Sequence, residues 1–90
     1  MDAYFLTTVR GEALRNLRRA KVPVHEVPRH LLFGSRSNAS EWLAHKAREY
    51  WPHVSQEDKQ GITYVRAGDG ADAKPVLFGT VQLVRQALDY

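Results

Sequence analysis

Ninety residues with thirteen Lys and Arg against ten Asp and Glu carry a net charge of +3, and no residue is cysteine. That length suits one domain spanning residues 1–90, burying about 60–65% of the surface its unfolded chain exposes. Without cysteine, disulfides, thiolate metal sites and thiol nucleophiles are excluded together.

The charge is uneven. Residues 1–36 hold seven bases (Arg10, Arg15, Arg18, Arg19, Lys21, Arg29 and Arg36) against Asp2, Glu12 and Glu26, whereas the remainder holds six bases and seven acids. Any electrostatic partner is therefore expected at the N-terminal half. No run approaches the ~20 apolar residues of a membrane span. The opening MDAYFLTTVR lacks the apolar run of a signal peptide, so the expected location is cytoplasmic.

In chain order, Ala3 to Thr7 is a β-favouring run and predicts a strand. A helix is expected from Val9 to Ala20. At 100° per residue, Val9, Ala13, Leu14, Leu17 and Ala20 share one side, while Glu12, Arg15, Arg18 and Arg19 share the other. The stretch VPVHEVP, residues 22–28, alternates valine between prolines and predicts an extended edge segment. Leu31, Leu32 and Phe33 are apolar enough to reach a core, and a loop starts at Gly34. Asn38 and Glu41 have capping-box spacing for a helix from Ala39 to Trp51, closed by Pro52.

The polar stretch VSQEDKQG, residues 54–61, predicts at most a helical turn from Ser55. Ile62 to Arg66 predicts a strand. An eight-residue Gly/Asp/Ala loop joins it to a second strand, Pro75 to Phe78, in a hairpin. From Thr80, Val81, Leu83, Val84, Ala87 and Leu88 fall on one broad face, which predicts a closing helix.

The expected fold class is therefore α/β or α+β: a small mixed sheet with helices packed on it, in the order β-α-β-α-β-β-α. The first two strands are expected to be parallel, because a strand–helix–strand crossover is right-handed almost without exception. This order resembles that of thioredoxin-like domains, without the cysteine motif that carries their chemistry.

Catalytic constellations are missing from the pattern. There is no GxSxG, and the histidines His25, His30, His45 and His53 lack zinc-finger or HExxH spacing. His45 lies one turn from both Glu41 and Glu49, which reads as a solvated helix face. The loop GSRSN, residues 34–38, leads Arg36 to a helix N-terminus, where anions are favoured. Trp42 and Trp51 flank the apolar face of their helix, either as exposed anchors or as the rim of the core.

These features point to a non-enzymatic binding protein without metal or cofactor. It would be an adaptor or inhibitor acting by protein–protein contact, in the manner of small phage or mobile-element accessory proteins, or a homodimer using the same surfaces. The contact residues would be Arg10, Arg15, Arg18, Arg19, Lys21, Arg36, Trp42 and Trp51. The competing class is a sequence-nonspecific nucleic-acid-binding protein using the same cations on phosphates.

Overall fold

A computed structural model of the chain describes residues 3–70 and 74–85. The elements are β1 (Ala3–Val9), α1 (Gly11–Arg19), a 3₁₀ turn (Val24–Glu26), β2 (His30–Phe33), α2 (Arg36–Arg48), β3 (His53–Lys59), β4 (Ile62–Gly68) and β5 (Val76–Arg85). The strands form one antiparallel sheet in the order β2-β1-β5-β4-β3. The class is α+β, with two helices and five strands among the described residues.

Both helices lie on the same face of the sheet. Ala13, Leu14 and Leu17 of α1 and Ala39, Leu43, Ala44 and Ala47 of α2 are buried there. They meet Val9, Val65, Ala67, Phe78 and Val81 of the strands. β2 and β3 run in the same direction at opposite edges of the sheet, and α2, which joins them, crosses over all five strands. Its alanines allow that close crossing, and so does Gly79. A Cβ at Gly79 would stand 2.6 Å from the Thr8 carbonyl oxygen and 3.0 and 3.1 Å from the Leu43 methyls. Beside it, the pairing of β4 with β5 shifts register between Val65 and Arg66. Phe78 is the extra residue of this bulge and is fully buried.

Four expectations are corrected. First, β1 and β2 are antiparallel, with Thr8 opposite His30 and Phe5 opposite Phe33. α1 carries the chain down the sheet and residues 20–29 carry it back, so β2 starts where β1 ended and the crossover rule does not apply. Second, residues 22–28 are no strand. They turn at Val24–Glu26 and bury Val27, and the pairing begins at His30. Third, the polar stretch forms the edge strand β3, joined to β4 by a two-residue hairpin. There Gln60 and Gly61 have φ of 54° and 81°, the both-positive geometry that matches strand twist. Fourth, Thr80 to Arg85 continue β5 instead of opening a helix, and the rest of the expected helix, residues 86–90, lies outside the described residues. The order is thus β-α-β-α-β-β-β, and the all-antiparallel sheet departs from a thioredoxin-like arrangement.

The start of α2 also moves. Ser35 is the N-cap, its Oγ accepting from the Asn38 amide at 3.0 Å. Asn38 therefore lies inside the first turn as a donor, and the helix begins at Arg36.

Candidate functional site

α1 forms because its apolar spacing matches one helical turn. Leu14 and Leu17 go inward, and Arg15, Arg18 and Arg19 stay exposed on the far side. Arg10 is the N-cap residue, with extended backbone and no side-chain cap. The C-terminus closes by a Schellman motif. The Lys21 amide donates to the Arg18 carbonyl and the Val22 amide to the Leu17 carbonyl, each at 2.9 Å. Lys21 occupies the left-handed position of that motif, at φ 62°, where glycine is the usual residue.

Five exposed cations thus line one helix from end to end: Arg10, Arg15, Arg18, Arg19 and Lys21. Among the described residues only two ion pairs occur, Lys46–Glu49 at 3.4 Å and Arg66–Glu57 at 3.0 Å, and neither involves these five. Glu12, spaced to meet Arg15, makes no pair with it. Arg19 Nη1 donates only to Asn16 Oδ1, at 3.4 Å.

The helix dipole divides this set. Arg18 and Arg19 in the last turn sit at its negative end, which stabilises the helix by a few tenths of a kcal/mol each. Arg10 and Arg15 have no such reason. Helical side chains lean towards the N-terminus, and Arg15 Nη1 reaches back to within 3.5 Å of where a Gly11 Cβ would stand. Arg10, Gly11, Glu12 and Arg15 line a shallow cavity of about 290 Å³ there. Two guanidinium groups beside the positive end of a helix destabilise it locally. Glu12 in the same turn offsets part of this, and an external anion would offset the rest.

Arg36 is placed elsewhere. It is half-buried under α2, and its Nη1 donates to Thr63 Oγ1 at 3.2 Å and to the Val81 carbonyl at 3.5 Å, while its guanidinium stands 5.1 Å from the Phe5 ring centroid. Thr63 Oγ1 in turn donates to Asp58 Oδ1 at 2.6 Å. Its contacts therefore run into the sheet, away from the face of α1. The two tryptophans are half-buried on the rim of the core. Trp42 lies 6.0 Å from the Phe33 ring and Trp51 meets Phe78 edge-to-face at 5.8 Å. Trp51 also lines a cleft of about 570 Å³ between the ends of the two helices, with Tyr50, Glu49 and Asp69 on its walls.

Around His45, Glu49 accepts from Lys46 instead. Among the described residues, no group of three or more His, Asp or Glu side chains is placed to hold a metal ion, and no helix is long and apolar enough to cross a membrane.

A second surface was not visible in the sequence. The face of the sheet opposite the helices carries no covering element among the described residues. Register places Leu32, Leu6, Gln82 and Ile62 in one row across four strands, with Tyr4 and Val84 in the next row on one side and Thr8, Thr80 and Tyr64 on the other. The signal that could have found it is the alternation Tyr4-Leu6-Thr8 against Phe5-Thr7-Val9, and Ile62-Tyr64-Arg66 against Thr63-Val65-Ala67.

Comparison with protein-family models, with curated proteins and with solved structures finds no match. The class that the fold and surfaces define is a small α+β protein with a one-sided helix layer and a basic helical face.

Proposed function

We propose that this is a non-enzymatic binding protein that works by holding an acidic surface of a protein partner against the basic face of α1. The observation that carries the reading is the set of five exposed cations with no carboxylate within 4 Å among the described residues, two of them at the wrong end of the helix dipole. Planar guanidinium groups grip carboxylates in bidentate fashion. A helix that tolerates like charges at Arg15 and Arg19 gives up a few tenths of a kcal/mol that an acidic partner restores. Such contacts speed encounter and select partners more than they add affinity.

A second reading, nucleic-acid binding, is favoured by the length of the array. From Arg10 to Lys21 the cations extend over about 16 Å of helix, at 1.5 Å per residue, enough to follow several phosphates of one strand.

One titration separates them. The protein is titrated with polyglutamate and with mixed-sequence duplex DNA, following backbone amide shifts. The expected result is saturable polyglutamate binding centred on Arg10 to Lys21, lost in an Arg15/Arg18/Arg19→Ala variant and weakened about twofold to tenfold in Lys21→Gly. Lys21→Gly keeps the Schellman geometry without the left-handed penalty, so a loss there is not a folding defect. Tighter binding of DNA at equal salt, with a log–log salt slope of about −3 to −4, transfers the reading to nucleic acid. Absence of binding to either polyanion overturns both.

A further inference from the structure

We propose that the helix-free face of the sheet is a homodimer interface, on which a second copy of this chain packs sheet against sheet. The proposal rests on the open face alone and not on the basic face of α1.

The face is a mixed belt, in which Gln82 separates Leu6 from Ile62 in the central row and Thr8 and Thr80 lie in the row beside Tyr64. Leu32, Leu6 and Ile62 share a row, with Tyr4 and Val84 above and Tyr64 below. Leu32 is 60% exposed, the largest exposure of any big apolar side chain among the described residues. Four strands about 4.8 Å apart and three alternate positions about 6.8 Å apart give the belt roughly 400 Å². That area includes the polar positions, and its apolar part is centred on Leu32, Leu6 and Ile62. The full five-stranded face covers about 550–600 Å² in projection, so two copies face to face bury about 1,200 Å². This lies at the lower end of the range for specific interfaces.

Charge decides which occupant fits. The belt carries no charged residue. Around it, Arg66 is paired with Glu57 at 3.0 Å, leaving Lys59 at one edge strand and His30 at the other. A second copy therefore meets no strong like-charge field on this face, whereas the unpaired cations of α1 would repel one. The face also matches itself in chemistry: two antiparallel sheets pack about 10 Å apart through side chains of alternate residues, as in a β-sandwich. A two-fold pair built this way is closed and stops at two copies, because each copy has one such face. It leaves both α1 helices on the outside, so the dimer presents two basic faces to a partner.

The test is sedimentation equilibrium from about 1 to about 300 μM, on the wild type and on two variants. Leu32→Glu places a charge in the belt. Leu83→Glu is the control: Leu83 pairs with Phe5 on the helix side of the sheet and is 46% exposed. The expected result is a wild type that moves from the 10.3 kDa chain mass to twice that value with concentration, a Leu32→Glu protein that stays at the chain mass throughout, and a Leu83→Glu protein that behaves as the wild type. Circular dichroism at the lowest concentration should show the same sheet signal in all three. A wild type at the chain mass throughout, an unaffected Leu32→Glu, or an equal loss in Leu83→Glu overturns the proposal. The Arg15/Arg18/Arg19→Ala variant should dimerise as the wild type does, so failure here leaves the α1 reading standing and failure there leaves this one.

Discussion

The two faces of the sheet are built from the same strands and do opposite things. On the covered face, Thr7, Val9, Thr63, Val65 and Val81 are buried under two helices. On the other, their immediate neighbours Leu6, Thr8, Ile62, Tyr64 and Gln82 meet solvent or one another. Because side chains alternate strictly along a strand, one sequence writes both surfaces at once. The covered face is where stability resides. The open face is where substitutions should be read out in association.

The sharpest break between the faces is expected at Phe78→Ala. Phe78 is fully buried in the β5 bulge against Trp51, and its loss should cost about 4 kcal/mol. In a domain this small that is a large share of the total, and urea unfolding followed by tryptophan fluorescence checks it. A cost below about 1 kcal/mol would mean that the bulge repacks and that the covered face is not the core.

Next is Gly79→Ala, expected to cost about 3 kcal/mol. The new methyl would press on the Thr8 carbonyl, which is backbone and cannot move aside, as well as on Leu43. The same denaturation curve measures it, and a neutral result would show that α2 does not press on the sheet at Gly79.

The smallest effect belongs to the open face. Leu32→Ser should change monomer stability by no more than about 0.5 kcal/mol when unfolding is followed at submicromolar concentration. A cost comparable to that of Gly79→Ala would mean that Leu32 belongs to the core after all.

The helices were largely legible. Leu14, Leu17 and the arginines around them have helical spacing and nothing else, and the face of α2 could be read from Ala39, Leu43 and Ala47. The strands were harder, for reasons that lie in particular residues. β3, read HVSQEDK, is exposed along nearly its whole length as an edge strand, so hydrophobic patterning carried no signal. Its only local mark is the Gln60–Gly61 turn. β5 misled in the opposite way. Val81, Leu83 and Val84 fit a helical stripe as well as a central strand with apolar residues on both faces, and its register bulge at Phe78 broke the alternation. Its pairing with β1 and β4, remote in sequence, decides the matter.

Of the residues put forward as a contact surface, Arg10, Arg15, Arg18, Arg19 and Lys21 could be grouped from helical geometry alone. Arg36 could not be separated from them, because its attachment to Thr63 and Val81 depends on α2 crossing strands that come later in the chain. The Trp42 and Trp51 rings likewise take their places only once Phe33 and Phe78 are in position.

The central place of β5 has a consequence for biosynthesis. It is the last described strand, yet within the sheet it alone joins the β1–β2 pair to the β3–β4 hairpin. A nascent chain on the ribosome holds two separate two-stranded ribbons until β5 has emerged, and ribbons of that size are barely stable by themselves. Closure is thus a late, long-range event of the slow kind. Until then the exposed edges of both ribbons must be kept from pairing with other growing chains.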